Sequence, residues 1–320
     1  LRFVLRYTSR SPMHKPHVRQ GRAAIDKLTS NASACRIRLA DGRDLGYAEF
    51  GNPHGRPVLY CHGFPASRLE AGFMDTAAWK NDVRVIAPDR PGYGLSAFKP
   101  GRRIADWPDD CVELVDALGI ERFSIVGVSG GGPYALACAW KIPSRLVSAG
   151  VVCGLGPLDR QKIQEMEGHP QIMLSLARSA PWLLSLFCGS LFAPLVRLYP
   201  PILMPLLVNS RVAYDRRTLD RPEVRNTLLA TVREALRSGP RGLLQELSLF
   251  TGDWGFRPED IAFRIEHWHG ERDPVIPVSH GRSLAARLPD VRSRIIPREG
   301  HISLPIRLMN LILLAIVDRQ

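Results

Sequence analysis

The chain has 320 residues, 45% hydrophobic and 23% charged, a balance that suits a soluble globular protein and excludes collagen, coiled coil and wholesale disorder. The length suffices for one large α/β domain carrying an insertion. The formal net charge is +12, but the first 40 residues hold nine basic side chains and a single acid, Asp26. The basicity is therefore local, and no aromatic residues interleave with it as single-strand binding requires, so no nucleic-acid partner is expected.

Residues 1–34 are Arg-rich and acid-poor, without the continuous apolar core of a secretory signal. They read as a flexible solvated tail, with a transit peptide or a start at Met13 as the other readings. Cys35 to Leu39 and Leu45 to Phe50 flank Asp41-Gly42, which signals a β-hairpin. Short apolar runs then follow at Val58 to Cys61, Val83 to Ala87, Phe123 to Val128, Val147 to Cys153, Arg264 to His269 and Val291 to Ile296. Helical patterns lie between and after them at Asp109 to Leu118, Pro133 to Lys141, Ser279 to Leu288 and Leu308 to Ala315. Strands alternating with helices imply a mostly parallel sheet covered on both faces.

The rhythm breaks between about Gly156 and Gly255, where the chain is helical, apolar and interrupted by Pro181, Pro194, Pro200, Pro201 and Pro205. This is expected to be a helical cap, residues 156–255, inserted between core segments 35–155 and 256–320. Within it, Ser179 to Val196 carries no charge. That is near the minimum length of a membrane span, but the prolines and Gly189 divide it. It is expected to line a hydrophobic pocket, with Trp182, Phe187 and Phe192 facing substrate; an interfacial surface that touches lipid is the other reading, and membrane contact is not expected. The six cysteines form no disulfide or zinc rhythm and read as buried reduced thiols, which fits the cytoplasm.

Chemistry concentrates at Gly127-Val128-Ser129-Gly130-Gly131, a G-x-S-x-G pattern between an apolar strand and a helix. A sharp strand-to-helix turn exposes the Ser129 hydroxyl and demands small neighbours. The helix N-terminus favours an oxyanion there. A phosphate loop is the other reading, but the G-K-[ST] ending is missing. Acyl transfer needs two amide donors, and the expected pair is the N–H of Gly130 and the N–H of Phe64, from His62-Gly63-Phe64-Pro65. His62 itself is a candidate at the pocket, or a loop histidine bonding the backbone. Serine needs a base. His301 lies beyond the last strand, whereas His267 and His269 lie in one. Asp273, in the turn Gly270 to Pro274, is the expected orienting acid, ahead of Asp159 and Asp253.

These residues resemble the α/β-hydrolase superfamily, in its branch with a helical cap, over about residues 35–318. The order Ser, Asp, His agrees. Asp89-Arg90-Pro91-Gly92-Tyr93-Gly94-Leu95-Ser96 is similar to the D-x-x-G-x-G-x-S loop after the family's fourth strand, and Gly46 to Gly51 to its N-terminal hairpin. The resemblance implies an α/β fold with an eight-stranded, mostly parallel sheet flanked by helices. It implies Ser129 as nucleophile, His301 as base, Asp273 as orienter, and the Phe64 and Gly130 amides as oxyanion hole. The haloalkane dehalogenases and soluble epoxide hydrolases of this fold use an Asp nucleophile, and proline iminopeptidases carry Trp after the serine. Here Ser129 and Gly130 stand at those positions.

The expectation is a carboxylesterase-like serine hydrolase acting on a small or medium ester, with no cofactor and no metal. C–C bond, lactone or thioester hydrolysis, or perhydrolase chemistry, would use the same residues. From another class, a ligand receptor that keeps the pocket without turning over would carry the same residues. Oligomeric state leaves no signal in the sequence.

Overall fold

The computed structural model describes residues 34–203 and 212–317. The basic segment before them, with the expectations placed on it, lies outside the described residues. The strands are β1 Cys35–Arg38, β2 Asp44–Gly51, β3 Arg56–Cys61, β4 Val83–Pro88, β5 Phe123–Val128, β6 Leu146–Val152, β7 Ile265–Gly270 and β8 Val291–Ile296. They form one eight-stranded sheet in the order β1-β2-β4-β3-β5-β6-β7-β8. β2 runs antiparallel to both β1 and β4, and the remaining pairs are parallel. This is the eight-stranded, mostly parallel sheet that the apolar runs implied, and each expected strand falls within two residues of its observed bounds. The hairpin forms at Asp41-Gly42, where Gly42 takes φ +82°.

Strand periodicity divides the core in two. Leu59, Cys61, Ile125, Ala149, Val151 and Ile265 face the helices Trp107–Ala117, Gly132–Lys141 and Val278–Arg287. The alternate positions Val58, Tyr60, Val85, Val126, Val128 and Trp268 face the helices Asp75–Lys80 and Met309–Val317. Cys61, Cys111, Cys138, Cys153 and Cys188 are buried free thiols, and Cys35 is half-buried.

Between β6 and β7 the chain is helical, as Arg160–Glu165, His169–Ser179, Pro181–Phe187, Ala193–Leu198, Ala213–Leu219, Pro222–Ala235 and Arg241–Thr251. Buried ion pairs fasten two of these helices to the sheet. Arg68 bridges Asp89 and Glu234 at 2.8 Å each. Arg90 donates to Glu246 at 2.6 and 2.9 Å, and to the carbonyls of His62 and Gly63. Asp89 also accepts the N–H groups of Arg68 and Leu95. Ser96 Oγ donates to the Asp89 carbonyl and accepts from Gly46 N–H. The loop Asp89 to Ser96 is thus a buried anchor between sheet and helical segment. A Cβ on Gly94 would stand 2.2 Å from the Asp89 carboxylate, hence the glycine.

Removing one partner of such a pair strands a charge away from water. Glu246→Ala is expected to lower the unfolding free energy by about 3–5 kcal/mol in chemical denaturation. A loss well under ~1 kcal/mol would show that the anchor contributes little beyond an exposed pair.

Candidate active site

β5, β7 and β8 are joined in parallel through β6, so the loops that follow them share one edge of the sheet. Ser129 follows β5, Asp273 follows β7 and His301 follows β8. The Arg272 N–H donates to the Glu299 carbonyl at 3.0 Å, which ties the second loop to the third. His301 Nδ1 lies 2.7 Å from Asp273 Oδ2, and His301 Nε2 lies 2.9 Å from Ser129 Oγ. Asp273 Oδ1 accepts the N–H groups of Val275 and Ile276 at 2.8 Å each, so one carboxylate oxygen is held by the loop and the other by the histidine. With Nδ1–H donating to the carboxylate, Nε2 carries the lone pair that faces the serine hydroxyl.

Ser129 takes φ +53°, a left-handed conformation costly for a residue with a Cβ. Its neighbours show why the turn is nonetheless fixed. A Cβ on Gly127 would lie 2.3 Å from the Gly131 carbonyl oxygen, and one on Gly131 would lie 2.0 Å from the Cys61 oxygen. Only glycines let β3, the serine turn and the helix behind it approach this closely. A Cβ on Gly130 would meet Phe64 Cβ at 2.6 Å and Phe64 N at 3.3 Å. The loop after β3 therefore passes directly beside the residue that follows the serine.

Electrostatics set the protonation states. Burial opposes charge on Asp273, but the His301 charge and hydrogen bond, with the loop amide, hold its carboxyl below the usual carboxylate value. Burial likewise disfavours the His301 imidazolium, yet the Asp273 charge and hydrogen bond outweigh it and raise the imidazole above its ordinary 6.5. Cys153 Sγ, Asp273 and His301 offer donor atoms within 4.8 Å of one another. However, burial and the Asp273 charge keep the thiol protonated, and the other two groups are spent on each other. That suits an ion pair better than a metal centre.

A cavity of about 510 Å³ opens on Ser129 and His301. Phe64, Phe73, Leu228, Val232, Ile302 and Met309 give it apolar walls. Besides the exposed Glu167, two carboxylates in its lining escaped the sequence reading. Glu70 accepts from Gly63 N–H at 2.5 Å and from Tyr60 Oη at 2.9 Å, holding the loop after β3 from behind. Burial pushes its carboxyl up, against those two hydrogen bonds. Asp215 reaches in from the helical segment and accepts Ile302 N–H at 3.2 Å and Ser303 N–H at 2.8 Å, next to His301. Neither belongs to a local motif, and no spacing in the sequence points to them.

Ser129, Asp273 and His301 come together, and Phe64 and Gly130 lie beside them. The expected pocket residues do not. His62 is fully buried under the loop, with Nε2 accepting the Arg90 N–H and Nδ1 bonded to the Gly63 carbonyl. Burial and the Arg90 charge keep it neutral, so it braces the loop rather than meeting a ligand. Trp182 and Phe187 are 70% and 48% exposed, and Phe192 stacks on Phe187 outside the cavity lining. The expectation of a pocket-lining segment there is corrected: Leu184, Cys188, Ala193 and Val196 pack it, half-buried Phe192 lies against the core, and most of the remaining apolar side chains turn outward. Asp159 caps the helix Arg160–Glu165 by accepting Lys162 N–H, and Asp253 accepts Gly255 N–H. His269 bonds the Ile276 carbonyl at 2.9 Å and supports the Asp273 loop.

Similarity to known proteins agrees with this fold. The family model described as "Alpha/beta hydrolase family" matches residues 58–307. A hydrolase of Bacillus subtilis, YcgS, is 34% identical over 106 residues, covering 33% of this chain and 36% of that protein. The dihydrolipoyllysine-residue acetyltransferase component of the acetoin cleaving system of Pseudomonas putida is 26% identical over 264 residues, covering 82% of this chain and 62% of that protein. The chain thus spans between about a third and three fifths of these relatives. The solved esterase of Exiguobacterium antarcticum superposes with a TM-score of 0.66 at 15% identity, covering 89% of this chain and 99% of that one, a likeness of fold.

The ion pair makes its own prediction. In an NMR titration the His301 imidazole is expected to titrate above 6.5, and Asp273→Asn to lower it, because only the weaker Asp215 and Glu70 charges then oppose burial. An unchanged titration in the variant would remove Asp273 as the group that holds the histidine.

Proposed function

Since this chain belongs to the alpha/beta hydrolase family, we propose that it is a serine hydrolase that cleaves a small or medium carboxylic ester through an acyl-enzyme. The observation that carries the reading is the hydrogen-bonded chain Asp273–His301–Ser129, ending in a hydroxyl at the floor of an apolar cavity. Ser129 Oγ attacks the acyl carbonyl carbon as His301 Nε2 takes its proton. The negative oxygen forms beside the Phe64 and Gly130 amides, which stabilise it at a helix N-terminus. Asp273 holds the imidazole tautomer and favours the imidazolium. The C–O bond breaks, and His301 returns the proton to the departing alkoxide. Water then attacks the acyl-enzyme with His301 as base, and the acid leaves.

The helices between β6 and β7 act in this reading as a cap. Leu228, Thr231 and Val232 of Pro222–Ala235 form one wall of the cavity, and Asp215 grips the histidine loop. The apolar walls fit an acyl chain or an aromatic group better than a charged one.

Hydrolysis of p-nitrophenyl esters from acetate to decanoate tests the proposal. Ser129→Ala is expected to lose roughly 10⁴-fold or more in kcat/KM with its fold intact by circular dichroism. The base must be neutral to act, so kcat/KM of the wild type is expected to rise with pH through an inflection above 6.5. Full activity in Ser129→Ala would sink the proposal. Turnover of lactones or β-diketones, with no ester accepted, would keep the serine and replace the substrate.

A further inference from the structure

The helix Pro181–Leu198 is apolar on every side. Its inward stripe is Leu184, Cys188, Ala193 and Val196, and the π-helical turn Cys188–Phe192 adds the extra residue that keeps both halves of the stripe in phase. Its outward side carries Trp182, Leu183, Leu186, Phe187, Leu191 and Leu198, which are 41–75% exposed. A helix on a water-facing surface puts polar residues outside. This one has none outside except Ser185, Ser190 and Arg197. Exposed aliphatic and aromatic side chains in such a run mark a surface that meets something apolar.

We propose that this face lies in the plane of an anionic lipid bilayer, with its large side chains at the boundary of headgroups and acyl chains. Charge selects the partner. From Gly168 to Leu203 the charged residues are Arg178 and Arg197, both exposed, with no acid among them. They stand near the two ends of the apolar run, where lipid phosphates would meet them. A second copy of the chain fits worse, because a two-fold contact would bring arginines together without carboxylates to pair them. A span fits worse as well, because the inward stripe is packed against protein. The helix His169–Ser179, whose first residues His169 and Pro170 line the cavity, leads directly into this face. A lipid surface would thus lie one short helix from the candidate active site. This departs from the expectation of no membrane contact. It does not depend on the ester reading.

The test is sedimentation of the full chain with phosphatidylcholine vesicles, with and without phosphatidylserine. The wild type is expected to pellet with the anionic vesicles. Trp182→Ser/Leu186→Ser/Leu191→Ser, which keeps every charge, is expected to bind them about tenfold more weakly or worse. Arg178→Gln/Arg197→Gln is expected to lose about fivefold per arginine. Trp79→Ser, an exposed apolar residue elsewhere, serves as control and is expected to bind as wild type. The proposal is overturned if the triple variant pellets like wild type, which would assign binding to another part of the chain. It is overturned equally if wild type stays in solution, or if size-exclusion with light scattering shows a dimer that the triple variant breaks.

Discussion

Arg90 is a guanidinium with no access to water. A charge there is tolerable only if nearly every donor is met. Glu246 takes two hydrogen bonds from the far helical segment, and the carbonyls of His62 and Gly63 take the others. One side chain thereby fixes three things at once: the end of β4, the loop after β3, and the helix Arg241–Thr251. The neutral His62 and the buried Glu70 complete the clamp on that loop. Phe64 depends on this clamp for its place beside Gly130.

The site is assembled on that frame from loops distant in sequence. Ser129 opens a single 3₁₀ turn after β5, and Asp273 and His301 sit in loops. Each is held by a different kind of contact. The left-handed Ser129 is held by close packing of glycines, and Asp273 by two amides of its own turn. The loop of His301 is held by Asp215 through the amides of Ile302 and Ser303. Asp215 comes from the helical segment, so a displacement of those helices would reach the His301 loop directly, without passing through the sheet. The cavity wall at Leu228 and Val232 belongs to the same segment.

The helical segment is also where pattern reading failed. A run without charge was expected to face the cavity, because apolar surface is ordinarily buried. The run is real, but a helix of this length has two faces, and one stripe of small and medium side chains fills the space available against the core. The cavity is lined instead by residues from elsewhere in the same segment, such as Thr231, and by the termini of the sheet-flanking helices, such as Met309.

By itself the sequence determined the strands, the helices that cover them, and the identity of Ser129, Asp273 and His301. Local rules act at each of those places: alternation for half-buried strands, glycines for a crowded turn, and Asp-Pro for a loop. These constraints act between residues a few positions apart, so they leave a pattern. Tertiary structure alone decided that Glu70 and Asp215 stand at the cavity, that His62 turns inward, and that Trp182 and Phe187 face out. Glu70 and Asp215 are placed by hydrogen bonds to backbone groups 7 to 88 residues away, groups that every residue carries. A backbone amide has no sequence signature, so a carboxylate that serves one is invisible until the chain has folded around it.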